Sequence, residues 1–375
     1  MIDTGRLRAY LRLHLADGVG AVTFKRLVEN FGDVETAAKA RGQWQRVEGI
    51  GPKTAEAMEA VTDTQIDDEL KAAEQVGADI IVLEDERYPA ALAAIHDPPP
   101  LLYVRGRLEK ADALAFGVVG SRHCTYYGLE QAERFAQLLG RAGFTIVSGG
   151  ARGIDSAAHR GALTAGGRTI AIMGCGLTEM YPRENEKLFE QIVREDRGAI
   201  ISELPMRTAV LGGNFPTRNR IISGLSLGVL IVEAARKSGS LLTAREAAEQ
   251  GREVFAVPGR VDSPLSQGAN ELIRNGAILA QDLDDILEHL GDVGAKMVAE
   301  EPAGRESLPR GLDETESLLV GALRQGPMSL DELVRTTGGI DSGKTASAVT
   351  MLVLKGLVVQ QPGNVFALKK SRRGP

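Results

Sequence analysis

Ser148, Asp155 and His159 fall within one stretch, Phe144 to His159, that reads FTIVSGGARGIDSAAH, and they supply the three residue types of a hydrolase triad. The chemistry does not follow from the types alone. Ser148 sits in no Gly-x-Ser-x-Gly elbow, and all three crowd onto one strand end and the helix after it. Asp155 and His159, four apart on one helix face, lack the further ligands a metal needs. Both read as packing or hydrogen-bonding residues, and neither a metal nor a cofactor is expected. The same stretch suits an anion better. A β-branched run that stops on Gly149-Gly150 and restarts as a small-residue helix leaves backbone N–H groups at a positive helix end, where phosphate binds. Ser148, Gly149, Gly150 and Arg152 are its candidate contacts.

Such a turn needs a sheet behind it. From 115 to about 290 the apolar runs AFGVVG, FTIVSGG, RTIAIMG, GAIISE, LGVLIVEA and REVFAVPG alternate with helix-like intervals. Continuous rather than alternating apolarity marks parallel strands covered on both faces, so the class is α/β, a Rossmann-like doubly wound parallel sheet. The ligand crevice of such a sheet lies beyond the C-terminal strand ends. Residues placed there include Gly120-Ser121-Arg122, Gly174-Cys175-Gly176, Ser202-Glu203, Glu233 and Pro258-Gly259-Arg260. Arg122 and Arg152 can make charge-assisted contacts to phosphate oxygens.

Charge sharpens this reading. The chain has 44 basic and 50 acidic residues, a net charge of -6, so affinity for a polyanion must be local. Leu204 through Val232 contain no acidic residue but do contain Arg207, Arg218 and Arg220. Phe215 offers either a stacking face for a base or a core side chain, and Asn219 stands between two of the arginines. Lys237-Ser238-Gly239-Ser240 precedes the helix LLTAREAAEQG, a second N-terminus with hydroxyls and backbone donors.

At 375 residues and 43% hydrophobic content the chain can hold one large core and smaller modules. Residues 1–75 read as a helical domain with two Gly-x-Gly turns, Gly18-Val19-Gly20 and Gly49-Ile50-Gly51, and 76–290 as the main domain. The main domain opens with a bridge that holds a short strand, ADIIVL, and the cluster Pro98-Pro99-Pro100. Residues 291–311 are a polar linker, and 312–370 give three amphipathic helices and two short strands about Pro362-Gly363-Asn364, the order of a winged helix. The tail with Lys369, Lys370, Arg372 and Arg373 is basic. Cys124 and Cys175 are the two cysteines, too few and too far apart for a disulfide framework or a thiolate zinc site, which suits a reducing cytoplasm. No apolar stretch nears the roughly 20 residues that cross a bilayer, and the N-terminus has no signal-peptide core, so no membrane association is expected.

Gly120-Ser121-Arg122, SGGARGIDSAAH, YPRENEKL, ISELP, FPTRNRIISGLS, SGSLLTA and FAVPG, in this order over about 115–280, together resemble the DNA-processing protein A (DprA/Smf) family. The resemblance implies a non-enzymatic, cytoplasmic homodimer that binds single-stranded DNA in natural transformation. It further implies that RecA is loaded onto DNA coated by single-strand binding protein. It places the family's basic pocket on Arg122, Arg183, Arg218 and Arg220, and a dimer contact in the C-terminal half of the main domain. Physically, amides and arginines along a crevice hold a sugar-phosphate chain without reading bases.

Other readings remain beside it. Phosphoribohydrolase-like enzymes use similar glycine-rich turns, with Glu203 and Glu233 as acid or base, yet their PGGxGT-x-x-E pattern is replaced here by SGSLLTARE. Gly338 to Thr345, GGIDSGKT, satisfies the P-loop expression, but a helical pattern rather than a strand precedes it, so it reads as a turn and helix start. The N-terminal glycine turns fit helix-hairpin-helix elements, with Lys53 near a phosphate, or a sterile-alpha-motif-like packing unit. The winged helix, with Lys344 on its third helix, fits duplex DNA or a protein partner.

Overall fold

A computed structural model describes residues 3–291, 313–323, 327–337, 341–355, 357–361 and 365–368. The chain divides into two compact units, Met1–Glu300 and Glu301–Pro375. The linker expected beyond Gly291, the Pro362-Gly363-Asn364 turn and the basic tail lie outside the described residues.

The first unit begins with helices α1 (Thr4–His14), α2 (Ala21–Phe31), α3 (Val34–Lys39), α4 (Pro52–Ala60) and α5 (Asp63–Gln75). The Gly-x-Gly turns start α2 and α4: Gly18 and Gly49 take φ of 86° and 91°, a region open to glycine, and Pro52 sits at the first position of α4. A nine-stranded sheet follows, built from β1 (Ala78–Val82), β2 (Leu101–Gly106), β3 (Ala115–Val119), β4 (Thr145–Ser148), β5 (Thr169–Ile172), β6 (Gly198–Ser202), β7 (Gly228–Ile231), β8 (Glu253–Ala256) and β9 (Ile278–Leu279). Their order is β1-β2-β6-β5-β4-β3-β7-β8-β9. Strands β3 to β9 pair in parallel, whereas β2 runs antiparallel to both β1 and β6. The expected bridge is therefore two strands of the main sheet. LLYVRG was missed because it lies directly after the proline cluster, and β9 because two residues carry no periodicity.

Every residue of β3, β4, β5, β6 and β7 is buried, the pattern that made these runs legible. Phe116 and Val118 of β3 join the layer of α7 (Tyr126–Arg141) and α8 (Ile154–Thr164), while Ala115 and Val119 join the opposite layer of α10 (Asn214–Leu225), α11 (Ser240–Glu249) and α12 (Gln267–Arg274). Three further α-helices, α6 (Ala90–Ala93), α9 (Glu186–Arg194) and α13 (Leu283–His289), belong to the same unit. The N-terminal helices share a core with Tyr103, Ala171, Met173, Phe189 and Ile200 of the sheet region. No described helix is long and apolar enough to cross a membrane.

Two histidines, His159 in the core and the half-buried His14, give this unit an acid limit. His159 Nδ1 lies 2.7 Å from Thr169 Oγ1, whose own hydrogen goes to Ile146 O, so the imidazole carries its proton on Nδ1 and leaves Nε2 unpartnered. Burial pulls His159 down to about 3 and His14 to about 4. The unfolded chain protonates both near the ordinary value of about 6.5, so it binds more protons than the fold below that pH. Stability should therefore fall as pH drops from about 6.5 towards 4, by up to about 1.4 kcal/mol per unit for each histidine. Urea titrations across that range should show a shallower acid limb for His159→Gln; an unchanged slope would contradict the assignment.

The second unit holds α14 (Glu314–Leu323), β10 (Met328–Ser329), α15 (Leu330–Thr336), α16 (Ser342–Leu354), β11 (Val358–Gln361) and β12 (Val365–Leu368). Its antiparallel sheet runs β10-β12-β11, and Leu319, Leu333, Val349, Leu352 and Phe366 form its core, which is a winged helix. Of the P-loop match, residues 338–340 lie outside the described residues. The rest starts α16: Asp341 accepts from Lys344 N at 3.3 Å, and buried Thr345 donates its hydroxyl to Asp341 O at 3.2 Å. A helix, α15, precedes the match, and the threonine hydroxyl is already committed.

Candidate nucleic-acid interface

Strand β3 pairs with β4 on one side and β7 on the other. The chain leaves β3 through α7 towards β4 and leaves β7 through α11 towards β8, so the two strand ends part and a crevice opens between them. It forms a cleft of about 360 Å³ lined by Gly120, Ser121, Arg122, His123, Asp155, Phe215, Arg218, Asn219, Ser238, Gly239, Ser240, Leu242 and Thr243, among others. Three segments that are far apart in sequence thus meet at one place.

Each side chain has a cause for its position. Ser121 N donates to Glu233 O at 2.7 Å and Ser121 Oγ to His123 O at 2.7 Å, which ties the loop after β3 to the end of β7. Arg122 is left exposed with its guanidinium 4.8 Å from the centre of the Phe215 ring. Among the described residues no carboxylate comes within ion-pair distance of Arg122. Phe215 is half-buried, and a Cβ on Gly174 would come within 2.9 Å of its ring, so the bare backbone there seats the ring. Phe215 is neither fully core nor fully free.

Arg218, only 4% exposed, donates through Nη1 to Gly149 O at 2.6 Å and to Ile172 O, while its Nε finds no partner among the described residues. Burial pulls its guanidinium down to about 10, opposed by Asp155 and assisted by Arg122, so it stays charged at neutral pH. Burial pushes the Asp155 carboxyl up, against the pull of Arg218 and of the Ala151 N–H, which donates to Asp155 Oδ2 at 3.3 Å. This arrangement corrects the expected phosphate seat at the start of α8. The chain's own carboxylate occupies part of it. The start of α11 is different: Gly239 caps it without a side-chain hydrogen bond, no acid lies in its first turn, and Ser238 and Ser240 hydroxyls stand 2.8 Å apart facing the cleft.

Gly149 and Arg152 line a small adjoining hollow with Arg122, Tyr181 and Phe215. Arg152 pairs with Glu184 at 2.6 Å and lies 5.8 Å from the Tyr181 ring centre, and exposed Arg183 begins the short turn after Pro182. Five predicted contacts, Arg183 among them, line neither the cleft nor the hollow. Ser148 is fully buried and donates to Val118 O at 2.7 Å, and Gly150 is buried against the Phe189 ring. Arg220 turns inward to Asp97 at 2.9 Å and Glu203 at 2.6 Å, because the five buried residues after it draw this part of α10 into the core. Lys237 is exposed but stands outside the lining. Asp155, read as a packing or hydrogen-bonding residue, does accept a hydrogen bond, from Ala151 N, and it also lines the cleft.

The acid-base candidates serve the framework. Glu233 accepts from Thr125 N at 2.7 Å and Thr125 Oγ1 at 3.0 Å, which anchors the start of α7. Burial lifts the Glu203 carboxyl against the pull of Arg220, its ion-pair partner. Neither lines the cleft. Among the described residues no hydrogen bond joins Ser148, Asp155 and His159, and no three His, Cys, Asp or Glu side chains could hold a metal.

Fold and site define a Rossmann-like α/β protein with a cationic, aromatic-floored cleft at its switch point and a winged helix at its C-terminal end. The family model for DNA recombination-mediator protein A matches residues 79–291, and that for the DprA winged helix domain matches 302–364. Protein Smf of Synechocystis sp. is 36% identical over 92% of this chain and 94% of its own length. The chain belongs to the DprA/Smf family. Among solved structures it is similar to DNA processing protein A from Streptococcus pneumoniae, with 33% identity and a TM-score of 0.65 over 77% of this chain and 99% of that one. DNA processing protein A from Helicobacter pylori, studied for its single-stranded DNA binding mode, matches with 32% identity and a TM-score of 0.50 over 59% of this chain and 96% of that one.

Proposed function

We propose that this chain is a recombination mediator that holds single-stranded DNA in the cleft between β3 and β7 without breaking bonds. In this reading it acts as a cytoplasmic homodimer in natural transformation and loads RecA onto DNA coated by single-strand binding protein. The observation that carries the reading is Arg122, exposed and, among the described residues, free of a carboxylate partner, lying over the half-buried Phe215 ring. Cation and stacking face stand together, as a phosphate and its base require. Arg218 and the positive end of α11 add positive potential, and the single-strand binding named for the Helicobacter pylori relative agrees with it. A dimer would place two such clefts on one strand and raise their joint affinity through effective concentration. The helical region 1–75, the main domain 76–290, the linker 291–311 and the winged helix 312–370 serve here as separate functional parts, the last open to duplex DNA or a protein partner.

Mobility shifts with single- and double-stranded oligonucleotides over a salt series test the binding. Preference for the single strand, with log K falling by about 0.7 per phosphate for each tenfold rise in salt, is the expected result. Equal or stronger binding to duplex would overturn it. RecA ATPase activity on strands already coated by single-strand binding protein should rise when the chain is added; no rise would remove the loading step.

Gly149→Ala tests the seat of Arg218. A Cβ there would come within 2.6 Å of Arg218 Nη2 and 2.7 Å of Asp155 Oδ2, so the pair must shift. Loss of about 1–3 kcal/mol of stability is expected from the overpacking. Anisotropy titration should show weaker single-strand binding in the variant, and unaltered affinity would contradict a role for this pair in the cleft.

A further inference from the structure

The floor of the cleft is tied from behind to the helical region. Glu69, in α5, is 7% exposed, and among the described residues no cation lies within ion-pair distance of it. A carboxylate is seldom buried without a charged partner. Its Oε1 accepts from Met206 N at 2.7 Å. Met206, fully buried, shares a core with Ile66 and Ala73 of α5 and with Cys175 and Leu177 of the loop after β5. Met206 O accepts from Thr178 N at 3.1 Å and Thr178 Oγ1 at 2.8 Å, while Gly176 N donates to Thr208 O at 2.9 Å. A Cβ on Gly176 would collide with Met206 O, so a bare backbone lets the two segments lie this close.

Both supports of Phe215 start from that joint. Against the ring lies the bare backbone of Gly174, in the same loop as Gly176. Before it in the chain lies the segment from Met206, tied as far as Thr208 and then exposed from Ala209 to Gly213, where α10 begins. Tyr181, whose ring centre is 6.0 Å from that of Phe215, packs on the same core. We propose that Glu69 is a positioning residue for the cleft: by holding Met206 it sets the Phe215 ring against a base, so the helical region serves base binding without touching the strand. The proposal rests on the single-strand reading above. The cations are held elsewhere. Ser121, next to Arg122, is tied to Glu233 O, and Arg218 donates to Gly149 O and Ile172 O. Loss of the Glu69 bond should therefore remove attraction for the base and spare attraction for the phosphates.

The test measures full-length Glu69→Leu and Glu69→Gln on oligothymidylate and on an abasic strand of equal length, over a salt series. Leucine fills the space but accepts no hydrogen bond, whereas glutamine keeps an acceptor oxygen. Glu69→Leu should bind oligothymidylate about tenfold more weakly, as for loss of one base contact, with abasic-strand affinity and salt slope unchanged. Glu69→Gln should bind both strands as the parent chain does. An equal loss on both strands is what a merely structural role would give and overturns the proposal, as does unchanged binding in Glu69→Leu or an equal loss in Glu69→Gln. Thr178→Val, at an exposed position, removes one bond of the same joint and decides the matter if Glu69→Leu does not fold. A loss confined to oligothymidylate supports the proposal there, and no such loss overturns it. Phe215→Ala is measured alongside. Weaker oligothymidylate binding in Phe215→Ala with none in Glu69→Leu overturns the positioning role alone, and unchanged binding in Phe215→Ala overturns the stacking reading and the positioning role with it.

Discussion

Arg122→Glu is expected to weaken single-strand binding on the order of 100-fold at moderate salt, while thermal stability stays near that of the parent chain. Arg122 is exposed, its guanidinium rests on the Phe215 ring 4.8 Å away, and among the described residues no hydrogen bond of the framework depends on it. Reversal removes a phosphate partner and installs a charge that repels the strand, so the slope of log K against log salt should also become shallower. The same reversal at Arg218 would not be a clean test. Arg218 is 4% exposed and donates to two backbone carbonyls, Gly149 O and Ile172 O, so a carboxylate there would face carbonyl oxygens and Asp155 in the core. The sequence had made the two arginines look interchangeable. Burial separates them.

Arg220→Ala is expected to cost about 3–5 kcal/mol of stability, because it leaves Glu203 and Asp97 without their shared cation. The Arg220 side chain is 6% exposed, with Nε 2.9 Å from Asp97 and Nη2 2.6 Å from Glu203, whose carboxylate is 13% exposed. That pair fixes the inner face of α10, the helix that also carries Phe215 and Arg218. Urea denaturation should show the loss directly. In the folded fraction, the salt slope for single-strand binding should match that of the parent chain, since no phosphate contact has gone. A slope shallower by one phosphate with stability intact would show instead that Arg220 meets the strand.

Most of the sheet was legible because its inner strands are apolar on both faces. AFGVVG, FTIVSGG, RTIAIMG, GAIISE, LGVLIVEA and REVFAVPG correspond to β3 through β8. LLYVRG was not separable from the proline cluster before it, and its antiparallel pairing with β6 is a long-range contact that local pattern does not encode. The cleft was legible in outline, since a crevice at strand ends follows from topology, and Gly120, Ser121, Arg122, Phe215, Arg218, Asn219, Ser238, Gly239 and Ser240 all line it. Side-chain direction was not legible. Arg218 and Arg220, two apart on one helix, point about 200° apart around its axis, and only the positions of Asp97 and Glu203 decide which one leaves the cleft. Asp155 escaped for a similar reason: a carboxylate at a helix start can bind its own amides, and nothing local shows that it will take the seat offered to a phosphate.

The most direct test of the account is a crystal structure of the full-length chain with a short oligothymidylate. The account predicts phosphates beside Arg122 and the start of α11, with a base against Phe215. Phosphates bound elsewhere, with this cleft empty, would contradict it.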